Sequence, residues 1–362
     1  MMRALSCSAL GVPPWDPVVL PPRASLPESA DVVIVGGGLT GLLVATAMAR
    51  PWRDVVVIEQ AFGSGATARS GGVVLGDTSA GPALDFMGCE ESFRQWIGAH
   101  AVHCDLQWHG CLELARNSAL PSAPVDWHDQ GSIRLVRRVN GGVLDPAKLL
   151  GAVMAIAYQA GAKLVNRVSV HNVVPGRSGI IVRTNDGTIA ARKVVMATDA
   201  MLAPTEPRRD PWEERALTVA IQTDPVSASV IARLGLEANL PFYTDDMPLL
   251  WGRVMPDLSL LIGRELVPGG FDTPAELMSA IVSSAGALLL DRARRLHPAL
   301  ADVVLKRAWG GPIASTKTGT PAVLADHTIP GVTWAGGYGG QGIAQSFRVA
   351  QLVAESIELP SA

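Results

Sequence analysis

Near the N-terminus, the hydrophobic residues form short uninterrupted runs rather than alternating patterns. Asp31–Val35 and Val55–Ile58 are apolar and rich in β-branched residues, which is typical of parallel strands buried on both faces. Leu42–Ala49 lies between them with a helical composition, and Pro51 cannot continue that helix. The order of strand, helix and strand predicts a βαβ unit.

The pattern of the remaining chain predicts further helices and strands in alternating groups. Helices are expected at Glu90–Val102, Leu149–Gln159, Ala275–Leu296 and Gln345–Glu355. Strands are expected at Gly110–Ala115, Ser132–Val136, Lys163–Val174, Ile180–Thr184, Thr188–Thr198, Leu217–Thr223 and Leu258–Gly263. The turn at 185–187, Asn-Asp-Gly, joins two of these strands in a hairpin.

The loop after the first strand reads Gly36-Gly-Gly-Leu-Thr-Gly41, a G-x-G-x-x-G motif. In a dinucleotide-binding unit, Gly36 permits the tight turn and Gly38 lets backbone N–H groups reach the pyrophosphate. Gly41 lets the helix and strand pack closely. Glu59 ends the second strand, and its carboxylate can accept a hydrogen bond from a ribose hydroxyl. The motif alone is weak, but the complete unit predicts a bound dinucleotide.

Two further segments are rich in glycine. Gly63–Gly72 contains small residues, one arginine and no apolar period, which suits backbone lying along a ligand better than a packed helix. Gly336–Gly342 holds five glycines in seven residues. Because glycine at this density costs conformational entropy, we expect the backbone there to approach a ligand closely.

These segments resemble a family of FAD-dependent amine and amino-acid oxidoreductases. The family includes D-amino-acid oxidase, glycine oxidase, monomeric sarcosine oxidase and γ-glutamylputrescine oxidase. The similar segments are Gly63–Gly72, Leu144–Lys148, Gly161–Ala162, Val194–Thr198, Trp309–Pro312 and Gly336–Ile343. They span nearly the whole chain in the family's order, which is far more specific than any one motif.

The resemblance implies a mixed fold of the α/β and α+β classes. A Rossmann-like, glutathione-reductase-like FAD-binding domain is expected at residues 29–80, 140–215 and 308–362. A mixed-sheet substrate domain is expected at residues 81–139 and 216–307. Residues 1–28 contain six prolines, and we interpret them as an extended arm over the surface or a disordered leader.

The dinucleotide motif and the resemblance together predict the FAD contacts. These are Gly36, Gly38, Leu39, Thr40, Gly41, Glu59, Gln60, Ala68, Arg69, Ser70, Gly71, Gly72, Val168, Ala197, Thr198, Gly337, Gly339, Gly340, Gln341, Gly342 and Ile343. In sarcosine-type relatives a cysteine bonds covalently to the flavin, but Ile313 stands at that position here. Non-covalent FAD is therefore expected.

Departures from the family pattern bear on the substrate. Sarcosine-type relatives hold the substrate carboxylate with two cations, whose positions correspond to Gly72 and Ala344. The stretch Phe242–Arg264 is more similar to γ-glutamylputrescine oxidase, which acts on primary amines. An amine substrate without an adjacent carboxylate is expected. Candidate residues of the substrate pocket are Trp251, Arg253, Trp309 and Tyr338, with Arg253 a candidate for binding a remote carboxylate.

The resemblance implies hydride transfer from a carbon beside a neutral amine to flavin N5, followed by hydrolysis of the imine. No side chain is predicted to be catalytic. Relatives activate oxygen with a lysine whose position here is Leu261, and Lys317 is the nearest alternative. The acceptor, O₂ or another molecule, stays open. Three alternative functions remain: a flavoprotein subunit that depends on a partner, a tailoring dehydrogenase, and a small amino-acid oxidase of the sarcosine or glycine type. The protein could also form a homo-oligomer.

Composition argues against several other classes of protein, namely nucleic-acid-binding, membrane-spanning and metal-binding proteins. Hydrophobic residues make up 48% and charged residues 17% of 362, with a net charge of −3. No basic tract suggests nucleic-acid binding, and no apolar run is long enough for a membrane span. The cluster of His100, His103, Cys104, His109 and Cys111 lacks a repeated C-x-x-C, so no metal site is predicted. A cytoplasmic protein is expected.

Overall fold

The structure is a computed structural model that describes residues 7–20, 22–78, 80–116, 133–177, 179–201, 211–212, 214–244, 250–268 and 275–358. The first residue of the strand predicted from Ser132, part of the 1–28 arm, and part of the FAD-domain block 140–215 lie outside these ranges. The helices are α1 (Leu39–Met48), α2 (Ala66–Arg69), α3 (Cys89–Ala99), α4 (Pro146–Gln159), α5 (Ala228–Arg233), α6 (Ala275–Leu296) and α7 (Gly342–Glu358).

The strands alternate with these helices in two groups. They are β1 (Ser29–Val35), β2 (Val55–Glu59), β3 (Val73–Val74), β4 (Cys111–Arg116), β5 (Ile133–Val139), β6 (Gly142–Val143), β7 (Lys163–Asn166), β8 (Val170–Gly176), β9 (Gly179–Thr184), β10 (Gly187–Met196), β11 (Glu214–Thr223), β12 (Pro241–Thr244), β13 (Trp251–Val254), β14 (Leu260–Pro268), β15 (Leu305–Ser315), β16 (Ala322–Ala325) and β17 (Val332–Gly336).

The first sheet has the order β16-β17-β10-β1-β2-β7. Strand β1 pairs in parallel with β2 and with β10, so the predicted βαβ unit is confirmed. Alternate residues of β1 and β2 pack into two different cores, one on each face of the sheet. Helices α1, α3, α4 and α7 contribute to one of these cores, which explains why the strands are apolar throughout.

The second sheet has the order β15-β11-β14-β13-β12-β4-β5 and is mostly antiparallel, with a parallel pair at β4 and β12. The chain enters this sheet twice and returns to the first sheet each time, which confirms the interleaved mixed fold. One predicted boundary is wrong, because residue 308 lies within β15. That strand pairs with β11 along its length, so the chain re-enters the first sheet only at β16.

Three other predictions of local structure needed correction. The strand predicted at Lys163–Val174 is two strands, because Arg167 adopts a left-handed φ of 61° between them. Helix α4 begins three residues early, where Asp145 accepts hydrogen bonds from the first-turn N–H groups and Pro146 fits the first position. The segment Gly63–Gly72 contains the single helical turn α2.

The described part of the N-terminal arm lies against the protein. A short 3₁₀ turn at Cys7–Leu10 precedes an extended stretch. Leu10 is buried against α6 and β11. The indole N–H of Trp15 donates to the carbonyl of Ser70, at 2.9 Å. The extended-arm interpretation therefore describes these residues, and they reach the second glycine-rich segment.

Candidate active site

A cavity of about 1190 Å³ lies between the two sheets. On one side it is lined by residues that follow the carboxyl ends of β1, β2 and β10, among them Gly36, Gln60 and Ala197. Residues of β11, β13, β14 and β15 line the other side. In open parallel sheets, ligands bind beyond the carboxyl ends of the strands, so this cavity is the candidate active site.

The first glycine loop has the geometry that its motif predicts. Gly36 has a left-handed φ of 107°, and a Cβ atom at Gly41 would overlap the carbonyl of Gly36. Gly38 is different, because a Cβ atom there would meet only the Thr67 hydroxyl, at 3.8 Å. No described residue requires glycine at that position, and the space in front of it suits a ligand that approaches the start of α1.

Glu59 organises the same loop. Its two carboxylate oxygens accept hydrogen bonds from the N–H of Gly37, at 2.7 Å, and of Ala61, at 2.8 Å. The residue also lines the cavity. Each carboxylate oxygen can accept more than one bond, so Glu59 can fix the loop and still accept a bond from a ligand hydroxyl.

The second segment brings another helix N-terminus to the cavity. Gly65 precedes α2, and a Cβ atom there would meet no protein atom within 4 Å. The Thr67 hydroxyl accepts a bond from the N–H of Leu39, so α2 and α1 begin side by side. Neither helix has an acidic residue in its first turn. Two helix N-termini facing one cavity suit the phosphates of a dinucleotide.

The C-terminal loop closes the cavity from the side of the first sheet. The N–H of Gly337 donates to Asp199, at 2.8 Å, and α7 begins at Gly342. The hydroxyls of Tyr338 and Thr40 lie 2.6 Å apart. Tyr338 lines the cavity as predicted, but its hydroxyl is occupied in linking the first and last glycine loops. Its predicted role in binding substrate is therefore limited to the ring.

Most of the predicted FAD contacts line this cavity. They are Gly36, Gly38, Leu39, Thr40, Glu59, Gln60, Arg69, Ser70, Gly71, Val168, Ala197, Thr198, Gly339, Gly340, Gln341, Gly342 and Ile343. The remaining four, Gly41, Ala68, Gly72 and Gly337, do not line it. Gly41 packs against the carbonyl of Gly36, and Gly72 packs against the carbonyl of Leu144. Gly337 packs against the ring of Trp212, and Ala68 lies in the hydrophobic core.

The side chain of Arg69 is buried and holds three elements together. Its Nε donates to the carbonyl of Gly310, at 2.5 Å. Its Nη2 donates to the carbonyls of Leu10 and Gly11, at 2.7 and 2.6 Å. The guanidinium therefore fixes the second segment to β15 and to the N-terminal arm. No sequence motif predicts this contact with the arm.

Two tryptophans form the apolar wall opposite the glycine loops, as predicted. The ring of Trp251 lies between Gly71 and Gly263, where a Cβ atom at either glycine would overlap it. Trp309 is buried, and its indole N–H donates to the carbonyl of Arg69, at 2.9 Å. Both residues line the cavity.

Arg253 was predicted in the substrate pocket, but it does not line the cavity. Its Nη1 donates to the carbonyl of Leu144, at 2.9 Å, and its guanidinium lies 5.7 Å from the ring of Trp15. Burial lowers the pKa of Arg253 to about 10. In the structure the side chain holds the loop around Gly72, where it donates to the carbonyls of Gly72 and Leu144.

Sequence reasoning missed several residues of the second sheet that line the cavity, including Thr218, Tyr243 and Arg264. Tyr243 donates to Glu113, at 2.6 Å, and Arg137 pairs with the same carboxylate, at 2.9 Å. Burial, followed by the bond to Glu113, raises the pKa of Tyr243 above its usual range. No sequence motif marks these residues, because their strands must first pair to bring them together.

The two positions considered for an oxygen-activating lysine, Leu261 and Lys317, do not line the cavity. Leu261 is fully buried beside Trp309 and Ala220. Lys317 is exposed, and none of the five lysines of the chain is among the residues that line the cavity. A lysine that activates oxygen therefore has no counterpart among the described residues of this cavity.

The cluster of histidines and cysteines lies apart from the cavity. His100 stacks on Trp96, and burial raises the pKa of Cys104 to about 11 and of Cys111 to about 12. Within the described ranges, no group of three or more His, Cys, Asp or Glu side chains is arranged to hold a metal ion. Among the helices described, none has the length and apolar character that crossing a membrane requires.

The donor set of the cavity fits FAD. The backbone N–H groups at the starts of α1 and α2 would bind the pyrophosphate, and Glu59 would accept a hydrogen bond from the adenosine ribose. The glycine loop before α7 lines the same cavity and would offer backbone N–H groups to the flavin portion. The cavity volume of about 1190 Å³ exceeds that of typical pockets for a single drug-sized ligand, which leaves room for a small second molecule.

Comparison with known proteins gives consistent matches. The model of the family described as "DAO: FAD dependent oxidoreductase" matches residues 31–356. A "Probable oxidoreductase OrdL" of Rhizobium meliloti is 25% identical, with 94% of this chain and 87% of that protein covered. Gamma-glutamylputrescine oxidoreductase of Escherichia coli is 26% identical, with 92% and 85% covered. The crystal structure of glycine oxidase from Geobacillus kaustophilus has a TM-score of 0.72 at 21% identity, with 93% and 96% covered.

Proposed function

We propose, since the chain belongs to the DAO family of FAD-dependent oxidoreductases, that it oxidises a C–N bond of a small amine. The imine formed then hydrolyses in water to a carbonyl compound. One observation carries the proposal: a single cavity joins the glycine loops that fit a dinucleotide to the wall formed by Trp251 and Trp309. Gamma-glutamylputrescine oxidoreductase and glycine oxidase, which resemble this chain, are named for amine substrates of this kind.

The residues of the chain bind FAD and orient the amine substrate, and FAD would supply the redox chemistry. FAD, when bound, would supply the acceptor for a hydride from the carbon next to the neutral amine nitrogen. Gly38, Gly65 and Glu59 would hold the dinucleotide portion, and the loop from Gly339 to Gly342 would hold the flavin ring. Trp251 and Trp309 exclude water and restrict the position of the amine, which favours the reactive geometry. This division of labour needs no basic side chain at the reacting carbon.

The substrate is proposed to be an amine without a carboxylate on the reacting carbon. Gly72 has a left-handed φ of 69°, and a Cβ atom there would overlap the carbonyl of Leu144. Ala344 is fully buried in α7. Neither position can present a cation to the cavity, so the two cations that relatives use for such a carboxylate are missing.

FAD is proposed to be held without a covalent bond. Ile313 lines the cavity, whereas Cys89, Cys104 and Cys111 do not. Precipitating the yellow protein with acid should release all of its flavin into the supernatant. Flavin retained in the pellet would contradict non-covalent binding. The electron acceptor is proposed to be O₂ or a second redox molecule, and the rate of flavin reoxidation with each would decide between them.

The proposed reaction is tested by its products. Purified protein loaded with FAD is mixed with a primary amine and an electron acceptor, and ammonium and carbonyl product are measured. One equivalent of each should form for every two electrons transferred. Electron transfer without release of ammonium would show that a bond other than C–N is oxidised.

A further inference from the structure

One row of residues crosses the second sheet on the face that covers the cavity. Trp309 on β15 lies opposite Ala220 on β11. Gly263 on β14 pairs with Ala220 on one side and with Trp251 on the other. Residues that lie directly opposite each other in paired strands share one face of the sheet. Trp309, Ala220 and Trp251 line the cavity, so this part of the row is its apolar wall.

The row becomes polar on the next strands. Tyr243 on β12 lies opposite Trp251, lines the cavity and is partly exposed. Beyond it the row continues with Glu113 on β4 and Arg137 on β5. Because neighbouring strands are about 5 Å apart, Tyr243 stands at the edge of the apolar wall. A substrate whose amine lies against Trp251 would reach Tyr243 with a group several bonds from that amine.

The hydroxyl proton of Tyr243 is already used within this row. The hydroxyl donates to Oε2 of Glu113, at 2.6 Å. The same oxygen accepts bonds from Nε and Nη2 of Arg137, at 3.0 and 2.9 Å, and these bonds favour the ionised carboxylate. An ionised carboxylate only accepts, so the phenol must be the donor. With its single proton committed, the hydroxyl of Tyr243 has only oxygen lone pairs left for a ligand.

We propose that the hydroxyl oxygen of Tyr243 accepts a hydrogen bond from a donor group of the substrate, several bonds from the reacting C–N bond. The proposal rests on the proposed function for the amine end of the substrate. The substrate class that follows is an amine that carries a hydroxyl, an amide N–H or a second amino group at that distance. An ether or ketone of equal size lacks the proton and is selected against, because two acceptors would then face each other.

Binding of two uncharged probes tests this donor site without any oxidation. The FAD-loaded protein is titrated by calorimetry with pentanamide and with 2-hexanone, in which a methyl group replaces the amide NH₂ at equal length. The wild type should bind pentanamide about 3–10-fold more tightly, the range for one hydrogen bond between uncharged groups. Tyr243→Phe keeps the ring and removes the acceptor, so it should abolish this preference. The control Tyr158→Phe, at a position on α4 that is 47% exposed, should retain it.

An equal ratio of the two affinities in the wild type and in Tyr243→Phe would overturn the proposal. So would loss of FAD from the variant, since Tyr243 would then serve the cofactor or the fold. Glu113→Gln tests the direction of the bond, because an amide can donate to the phenol and leave the phenol proton for a ligand. This variant should bind 2-hexanone more tightly than the wild type does, which narrows the preference. If Tyr243→Phe does not fold, an unchanged ratio in Glu113→Gln would count against the proposal.

A kinetic comparison separates this site from the proposed reaction. The wild type should show a lower KM for 5-amino-1-pentanol than for 5-fluoropentylamine, whose fluorine cannot donate, and Tyr243→Phe should remove most of that difference. If neither amine reduces the flavin although pentanamide binding depends on Tyr243, the donor site stands and the proposed function fails. If both amines reduce the flavin with equal KM in the wild type and in the variant, the donor site fails and the function stands.

Discussion

Glu59 combines contacts to the first glycine loop with a position on the cavity. Its carboxylate accepts bonds from Gly37 and Ala61 and also faces the cavity. We predict that Glu59→Gln weakens FAD binding by roughly 1–2 kcal/mol, the scale for losing one charge-assisted hydrogen bond. The dissociation constant of FAD, measured by flavin fluorescence, checks this value.

The matched control for this change is Glu28→Gln. Glu28 is exposed beside the start of β1 and lies outside the cavity. It should bind FAD with the affinity of the wild type. If Glu59→Gln behaves in the same way as this control, Glu59 does not contact the cofactor and the ribose assignment is wrong.

Gly71 is required by the ring of Trp251 and not by its own backbone conformation. Its φ is not left-handed, yet a Cβ atom there would overlap the indole. Gly71→Ala should therefore destabilise the FAD-loaded protein by about 1–3 kcal/mol, the range for overpacking. The same change in a Trp251→Leu background should cost much less, because the ring is absent.

Thermal unfolding of the four proteins in this cycle gives the coupling between the two residues. Gly98→Ala serves as the control, since a Cβ atom on that helical glycine meets no other atom within 4 Å. It should be neutral or slightly stabilising. A similar loss of stability from Gly71→Ala in both backgrounds would mean that the two residues do not share this contact.

The N-terminal segment from Leu10 to Trp15 reaches the cavity at Leu10 and contacts the second glycine-rich segment. It provides the carbonyls that hold Arg69 and the indole that holds Ser70. We predict that Trp15→Ala speeds dissociation of FAD by roughly 3–10-fold, because one buried hydrogen bond and its packing are lost. Stopped-flow dilution into a flavin scavenger measures this rate. Trp52→Ala removes an indole that is 77% exposed, and an equal effect there would refute a specific role for the segment.

At the scale of elements, the sequence predicted what is determined locally. The βαβ unit, α6 and the three glycine-rich segments follow from short patterns, and the structure places those segments around one cavity. Arg253 and Arg264 illustrate the limit. Both lie on strands of the second sheet, and Arg264 lines the cavity whereas Arg253 does not. No local pattern distinguishes the two, because their strands must first pair to set their positions.

For the whole molecule, the rate of flavin reduction should depend on the protonation of the amine. A free alkylamine titrates at about pH 10.4, and only the neutral form transfers hydride. Burial in an apolar cavity disfavours the ammonium form, so the rate at saturating amine should rise with pH and level off below that value. Burial raises the pKa of Tyr243 and of Tyr338 above their usual ranges, so neither phenol should ionise within this window. A rate that is constant from pH 6 to about pH 10 would contradict this account.

The central claim is that this chain alone, loaded with FAD, oxidises amines that lack an adjacent carboxylate. Anaerobic mixing of the purified protein with a panel of amines, followed by the loss of the yellow flavin absorbance, tests it most directly. Primary amines and ω-amino acids should bleach the flavin faster than sarcosine or D-alanine. Faster bleaching by the small amino acids, or bleaching only after a partner protein is added, would contradict the claim.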